Sequence, residues 1–187
     1  MATISHLLTY EEMLALSRKP NPGPDGKEEV VRGELHRLPP NDYPHAEVIQ
    51  RLISRIDRQI DEKKIAILGS NFGLLIRREP LTCRIPDLAL YWREQMIIRD
   101  KLYHAPPGLV VEVLSTSETR RRKEEKMEDY ASIGVPEAWL VSAEAQSVEV
   151  RRLADGKLAS AAILIDGILR PMSFPEVAIH VPEIWPE

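Results

Sequence analysis

The most regular pattern in the chain begins at Pro44. Ala46, Ile49, Leu52, Ile53, Ile56 and Ile60 recur at spacings of three and four, and charged residues fill the opposite positions. That period puts the apolar residues on one stripe of an α-helix, predicted to run to about Lys63. Leu109–Leu114 is the most strand-like run, apolar throughout except for Glu112. Ile65–Leu68 and Phe72–Arg77 flank Gly69-Ser70-Asn71 and read as a hairpin, and Arg84–Trp92 reads as a further strand.

End signals fill in the remainder. Thr9-Tyr10-Glu11-Glu12 is a capping box that predicts a short helix through about Leu16. Pro20–Gly26 is a breaker-rich loop, and Glu29–Leu38, which contains Gly33, reads as a strand or hairpin ended by Pro39-Pro40-Asn41. Ser115 and Glu118 form a second capping box for a helix from about Thr116 to Ile133, with Gly134 as its stop. Pro136 precedes a strand through Val141, and Val148–Leu153 and Leu158–Ile165 flank the hairpin turn signal Asp155-Gly156. The proline-rich tail is expected to pack as irregular structure. This order describes an α/β or α+β protein, a mixed sheet flanked by helices. It forms one domain, with an N-terminal helix and loop over 1–27, a core over 28–153, and a hairpin and tail over 154–187.

Composition narrows the class. The chain has 187 residues, of which 43% are apolar and 29% charged, enough for a core and unlike a disordered chain. The single cysteine, Cys83, excludes an internal disulfide and a Cys-rich zinc site. No apolar run approaches the ~20 residues a membrane helix needs. The start of the chain carries Glu11–Glu12 and does not read as a signal peptide, so a cytoplasmic protein without membrane attachment is expected. With 25 basic and 29 acidic side chains the net charge is −4, so nucleic-acid binding would need a local basic patch.

Two acids sit where the chemistry is informative. Asp87 follows Pro86 inside a strand-like run, and proline there marks a strand start, edge or bulge. Glu112 sits within an apolar strand, where a carboxylate is costly unless it is paired or bound to a cation. If the strands are neighbours, the two carboxylates can converge, and two carboxylates with waters are what Mg²⁺ takes when it also binds phosphate. From spacing alone, a lone acid in a strand more often lies on an exposed face or in a salt bridge than at a metal site.

Pro86-Asp87, then Val111-Glu112-Val113-Leu114-Ser115, then Lys126-x-x-x-Tyr130, Gly134-Val135-Pro136-Glu137 and Trp139-Leu140-Val141 follow one another in order, after Thr9–Glu12, Gly33-Glu34-Leu35 and His45. This series resembles the PD-(D/E)XK nuclease superfamily, and more closely the Uma-two family of restriction-endonuclease-like proteins, over about residues 9–153. The resemblance implies a restriction-endonuclease-like core and a divalent-metal phosphodiesterase site. Asp87 and Glu112 would be the Mg²⁺ or Mn²⁺ ligands, and the carbonyl of Val113 a further oxygen ligand. The substrate would be nucleic acid, with DNA favoured, and cutting two strands with one site per chain favours a homodimer.

The superfamily lysine is expected two residues after the glutamate, where this chain has Leu114. In the resembling family the lysine sits on the following helix, which points to Lys126. Helix geometry instead puts Lys123 nearer the centre of the stripe marked by Met127, Tyr130 and Ala131, with Lys126 at its edge. Both remain candidates. His45 could contact phosphate, support the site, cap the helix or be an ordinary half-buried histidine. Glu34 could be an auxiliary acid or a solvated strand residue. Arg120 and Arg121 begin a basic run that could steer phosphate, although Ser117–Ala131 balances five basic against five acidic residues. A non-catalytic binding or regulatory protein that retains the nuclease fold is the competing reading.

Overall fold

The computed structural model describes residues 6–17, 28–38, 43–69, 72–115 and 119–186. The loop Pro20–Gly26, the Pro39-Pro40-Asn41 stop, Ser70, Asn71 and Glu118 lie outside the described residues. In chain order the elements begin with α1 (Tyr10–Ser17), β1 (Glu28–Val31), β2 (Glu34–Arg37), α2 (Tyr43–Asp57), β3 (Ile65–Gly69) and β4 (Gly73–Arg77). They continue with β5 (Thr82–Arg84), β6 (Leu88–Trp92), β7 (Ile98–Arg99), β8 (Leu102–Tyr103), β9 (Leu109–Val113) and α3 (Arg120–Ser132). The last are β10 (Glu137–Ser142), β11 (Ser147–Ala154), β12 (Lys157–Leu164), β13 (Ile168–Leu169) and β14 (Ile179–His180).

The central sheet has the order β12-β11-β10-β9-β6-β3, and a second six-stranded sheet has the order β2-β1-β5-β4-β8-β7. Both α/β and mixed character are therefore present, with helices on the two faces of the central sheet. On one face α2 presents the predicted stripe. Val48, Ile49, Leu52 and Ile56 are buried against Leu109, Val111 and Val113 of β9 and Trp139 and Val141 of β10. Each such side chain contributes roughly 1.5–3 kcal/mol of transfer free energy. On the other face α3 buries Met127, Tyr130 and Ala131 against Val110, Ala138 and Leu140, with Leu74 of β4 in the same cluster.

β9 and β10 run parallel and are joined through α3, so their carboxyl ends lie at the same edge of the sheet. β6 is antiparallel to β9, which brings its first residues to that edge as well. This topology assembles the site.

Several sequence expectations change. Ile65–Leu68 and Phe72–Arg77 are strands but not a hairpin: β3 pairs with β6 in the central sheet, while β4 pairs with β5 and β8 in the other. β4 buries both Leu74 and Leu75, and a strand buried on two sides is satisfied between elements rather than as half of an isolated ribbon. α2 ends at Asp57, short of Lys63, because Gln59 closes the helix. Its amide donates to the carbonyls of Arg55 and Ala178, and its oxygen accepts from the Ala178 N–H. The predicted strand Arg84–Trp92 is split at Ile85-Pro86-Asp87 into β5 and β6, as an in-strand proline requires. α3 starts at Arg120, and its N-cap is Thr119, whose hydroxyl accepts from the Arg122 N–H, in place of Ser115.

Other expectations are met. Thr9 and Glu12 exchange both capping-box hydrogen bonds. Asp155 and Gly156 both take positive φ, 50° and 74°, in the turn between β11 and β12. The tail goes further than expected. Phe174, Val177, Ile179, Val181 and Ile184 are all buried in the α2-side cluster. The chain at Gly108 passes so close to the Phe174 ring that a Cβ there would come within 2.8 Å of it. No described helix is long and apolar enough to cross a membrane.

Phe174→Ala should therefore lower unfolding free energy by about 3–5 kcal/mol, the usual cost of a buried phenylalanine. Urea unfolding measures it, and a loss under about 1 kcal/mol would remove the tail from the core.

Candidate active site

Along β9 the side chains alternate. Val111 and Val113 join the α2-side cluster, and Val110 joins the α3-side cluster, so Glu112 points toward α3. It is 2% exposed. Its Oε2 accepts from Lys126 Nζ at 2.9 Å, and its Oε1 accepts a short hydrogen bond from the Tyr130 hydroxyl. Lys126 and Tyr130 are four residues apart on α3, a spacing that lets both reach one carboxylate.

The register between β6 and β9 pairs Leu88 with Val111, which places Asp87 one step beyond, beside Glu112. Asp87 is buried. Its Oδ2 accepts from the Val113 N–H at 2.8 Å, and its Oδ1 lies 3.2 Å from His45 Nε2, at the start of α2. Pro86 explains how Asp87 reaches both. It ends the ladder at β5, and the free backbone turns the aspartate to the sheet edge before β6 begins.

Behind this pair is a second group. The Arg84 guanidinium donates to Glu29 Oε2 at 2.9 Å and, through Nε at 2.8 Å, to Asp129 Oδ2. Glu29 Oε1 accepts from the Ile85 N–H at 2.9 Å. Burial alone would make Arg84 easier to deprotonate, but Glu29 and Asp129 outweigh it and raise its pKa. Burial also pushes the Glu112 carboxyl up to about 7, helped by the neighbouring charges of Asp87 and Glu29 and opposed by Lys126. Burial and the Glu112 charge raise the Tyr130 hydroxyl, so it stays a proton donor.

Two cavities that share Leu114, Ser115 and Glu144 lie off the carboxyl ends of β9 and β10, of about 380 Å³ and about 270 Å³. The larger is also lined by Thr119, Arg120, Lys123 and Ser142, the smaller by Pro44 and His45. Open α/β sheets commonly bind ligands at this edge.

The structure thus brings Asp87, Glu112, Lys126 and His45 together. It does not bring Lys123 to Glu112: Lys123 Nζ lies 3.8 Å from Glu149 and borders the larger cavity. Glu34 is exposed, 3.7 Å from His36, and the acid of that hairpin that reaches inward is Glu29. Arg120 rims the cavity, and Arg121 is exposed and pairs with Glu125 at 3.4 Å. At Val113 the amide N–H is engaged with Asp87. Sequence reasoning assigned no role to Tyr130, Arg84, Glu29 or Asp129. Only Tyr130 had a local signal, its spacing from Lys126.

Among the described residues no group of three or more His, Cys, Asp or Glu side chains is arranged to hold a metal. The two-carboxylate set still fits a hard divalent ion that keeps waters and substrate oxygens as its other ligands. Buried charge supports the fit. Asp87, Glu112, Glu29 and Asp129 face the two fixed cations Arg84 and Lys126, so four minus two leaves two uncompensated negative charges. One divalent cation would cancel them.

The raised Glu112 pKa predicts a pH dependence. A carboxyl at about 7 in the folded protein and 4.5 otherwise contributes stability that is complete below 4.5 and lost as pH rises through about 7. Glu112→Gln removes the titration. In EDTA, the melting temperature of the variant relative to wild type should rise between about pH 5 and about pH 8. A constant offset would refute the shift.

The comparisons with known proteins agree with this picture. A crystal structure described as "a putative nuclease belonging to DUF820 from Anabaena variabilis ATCC 29413" superimposes with a TM-score of 0.77 over 95% of this chain and 97% of that one, at 14% identity. At that identity the likeness shows the fold. No curated protein matches the chain in sequence. The Uma2 family, described as "Putative restriction endonuclease", matches residues 10–182, nearly the whole of the structure above, and the chain belongs to that family.

Proposed function

We propose that this protein is a divalent-metal-dependent nuclease that hydrolyses phosphodiester bonds in DNA, with Asp87 and Glu112 as the metal-holding pair and Lys126 as the cationic helper. The observation that carries the reading is the meeting of two buried carboxylates on neighbouring strands with a lysine from the crossover helix.

Mg²⁺ or Mn²⁺ held by Asp87, Glu112 and the Val113 carbonyl would supply Lewis acidity toward a phosphate oxygen and an attacking water. The rest is done by the chain itself. The Tyr130 hydroxyl, held protonated, fixes one oxygen of Glu112 and so the direction of the other. The Val113 N–H holds Oδ2 of Asp87, and His45 stands 3.2 Å from its Oδ1, so the carboxylate is oriented through both oxygens. Lys126 Nζ offers positive charge where the phosphate gains negative charge during displacement. Arg120 and Lys123 line the larger cavity and place further cations along a phosphate backbone there. Cleavage of both strands of a duplex favours two copies acting together.

Mn²⁺ at about 100 times its dissociation constant should stabilise the folded chain by about 2.7 kcal/mol, seen as a higher melting temperature. Asp87→Ala should abolish the rise. Plasmid and RNA substrates with Mg²⁺, Mn²⁺ or EDTA test the chemistry. Metal binding without cleavage of either would favour a binding protein that keeps the nuclease fold.

The lysines give a separate expectation. Lys126→Ala should lower turnover by about 10²–10³, the usual cost of losing one transition-state donor, without weakening Mn²⁺ binding. Lys123→Ala should leave turnover within about threefold. Single-turnover cleavage with calorimetric Mn²⁺ titration reads both, and the reverse order of effects would move the helper role to Lys123.

A further inference from the structure

We infer that Arg84 is a positioning residue that sets the catalytic helix against the metal-holding strands. This inference rests on the nuclease reading for its effect on turnover, but not for its effect on the Tyr130–Glu112 contact.

The geometry is specific. Arg84 is the last residue of β5 and stands three positions before Asp87, on the same stretch that Pro86 turns toward the site. One side of its guanidinium meets Asp129 through Nε at 2.8 Å and Nη2 at 2.7 Å, and Nη1 meets Glu29 at 2.9 Å. Asp129 immediately precedes Tyr130 and lies three residues after Lys126, on the turn of α3 that carries both Glu112 partners. Glu29 holds the other end, because it also accepts from the Ile85 N–H, the next residue after Arg84. The clamp therefore joins three elements: β1 through Glu29, β5 through Arg84 and α3 through Asp129.

A planar, two-sided cation suits this task. Arginine donates along fixed directions and stays charged when buried, whereas lysine offers one point charge on a flexible stem. The side-chain exposure of Arg84 is 6%, that of Glu29 2% and that of Asp129 13%, so both contacts are largely shielded from water. α3 has few apolar anchors, with only Met127, Tyr130 and Ala131 fully buried along Arg120–Ser132. The N-terminal half of the helix has its own directional tie, Arg151 of β11 donating to both oxygens of Glu124 at 2.7 and 2.9 Å. The pair at Asp129 is the corresponding tie for the turn that carries Lys126 and Tyr130. A helix shift of about 1 Å is enough to misplace a catalytic group and cost about 10²-fold in rate.

Asp129→Asn tests the clamp while sparing the buried Arg84–Glu29 pair, and Arg84→Lys tests whether the forked geometry is needed. Both would be compared with wild type alone and combined with Tyr130→Phe or Lys126→Met. If Arg84 positions α3, Asp129→Asn lowers kcat at least tenfold, while KM and the Mn²⁺ dissociation constant stay within about threefold. Lys126→Met then costs far less in the Asp129→Asn background than in wild type. In thermal melts without metal, the loss from Tyr130→Phe likewise shrinks by half or more once Asp129 is Asn. Arg84→Lys, which keeps the charge and loses the fork, should lower kcat by a larger factor than a merely structural loss allows while lowering melting temperature little. A merely structural clamp predicts the opposite: lower melting temperatures, unchanged kcat below them, and additive losses with Tyr130→Phe. That result would overturn the inference. The melting cycle needs no cleavage, so a wild type that cuts nothing defeats the nuclease reading alone, and additive melts defeat the clamp alone.

Discussion

A carboxylate at the centre of an apolar strand is the constraint on which the site depends. Glu112 lies between Val111 and Val113 with almost no contact with water, and isolation there would cost several kcal/mol. Compensation comes from one helix face, where Lys126 and Tyr130 are spaced to meet its two oxygens. That requirement fixes how α3 must lie over β9. It also explains why a second layer of charge is built behind the first. A helix that must deliver an ammonium and a hydroxyl to one carboxylate needs more than a few apolar contacts to locate it, and Asp129 supplies an additional tie through Arg84.

The same edge of the sheet is reached by three routes in the chain. β9 and β10 arrive with their carboxyl ends, β6 leaves from it, and α2 begins beside it with His45. None of these elements is near another in sequence except through α3. The site is a product of topology, as sites at the carboxyl edge of α/β sheets generally are. Its chemical content is set by a few departures from good strand and helix sequence: a proline inside one strand, an acid inside another, and a lysine on a helix face that touches the core.

Those departures are why much of the site was legible. Pro86-Asp87 and Glu112 break the pattern of their strands, and a broken pattern can be seen in one sequence. α2 was legible for the opposite reason, since its apolar period is nearly perfect. What stayed hidden is long-range. Arg84 lies 55 residues from Glu29 and 45 from Asp129, and an ion pair across such distances leaves no local mark. Glu34 and Glu29 belong to one hairpin, but which of them turns inward depends on the sheet that covers it. For a related reason, periodicity alone put Lys123 nearer the centre of the helix stripe, whereas the lysine whose Nζ meets Glu112 is Lys126. A side chain's reach depends on where its stem lies, and an angle on a helical wheel does not contain that. Sheet membership of β3 and β4 was hidden as well, because adjacency in sequence does not say which neighbour a strand will choose.

The tail clasp has a consequence for biosynthesis. Gln59, just past the end of α2, is bonded to Ala178, and the face of α2 is sealed by residues from Phe174 to Ile184. Contacts separated by 119 residues form late, since their loop must close before they return any free energy. On the ribosome, the helix that carries His45 is made long before the residues that seal this part of its face. Until they arrive, the part of its apolar stripe that β9 and β10 leave open is a surface that chaperones can bind.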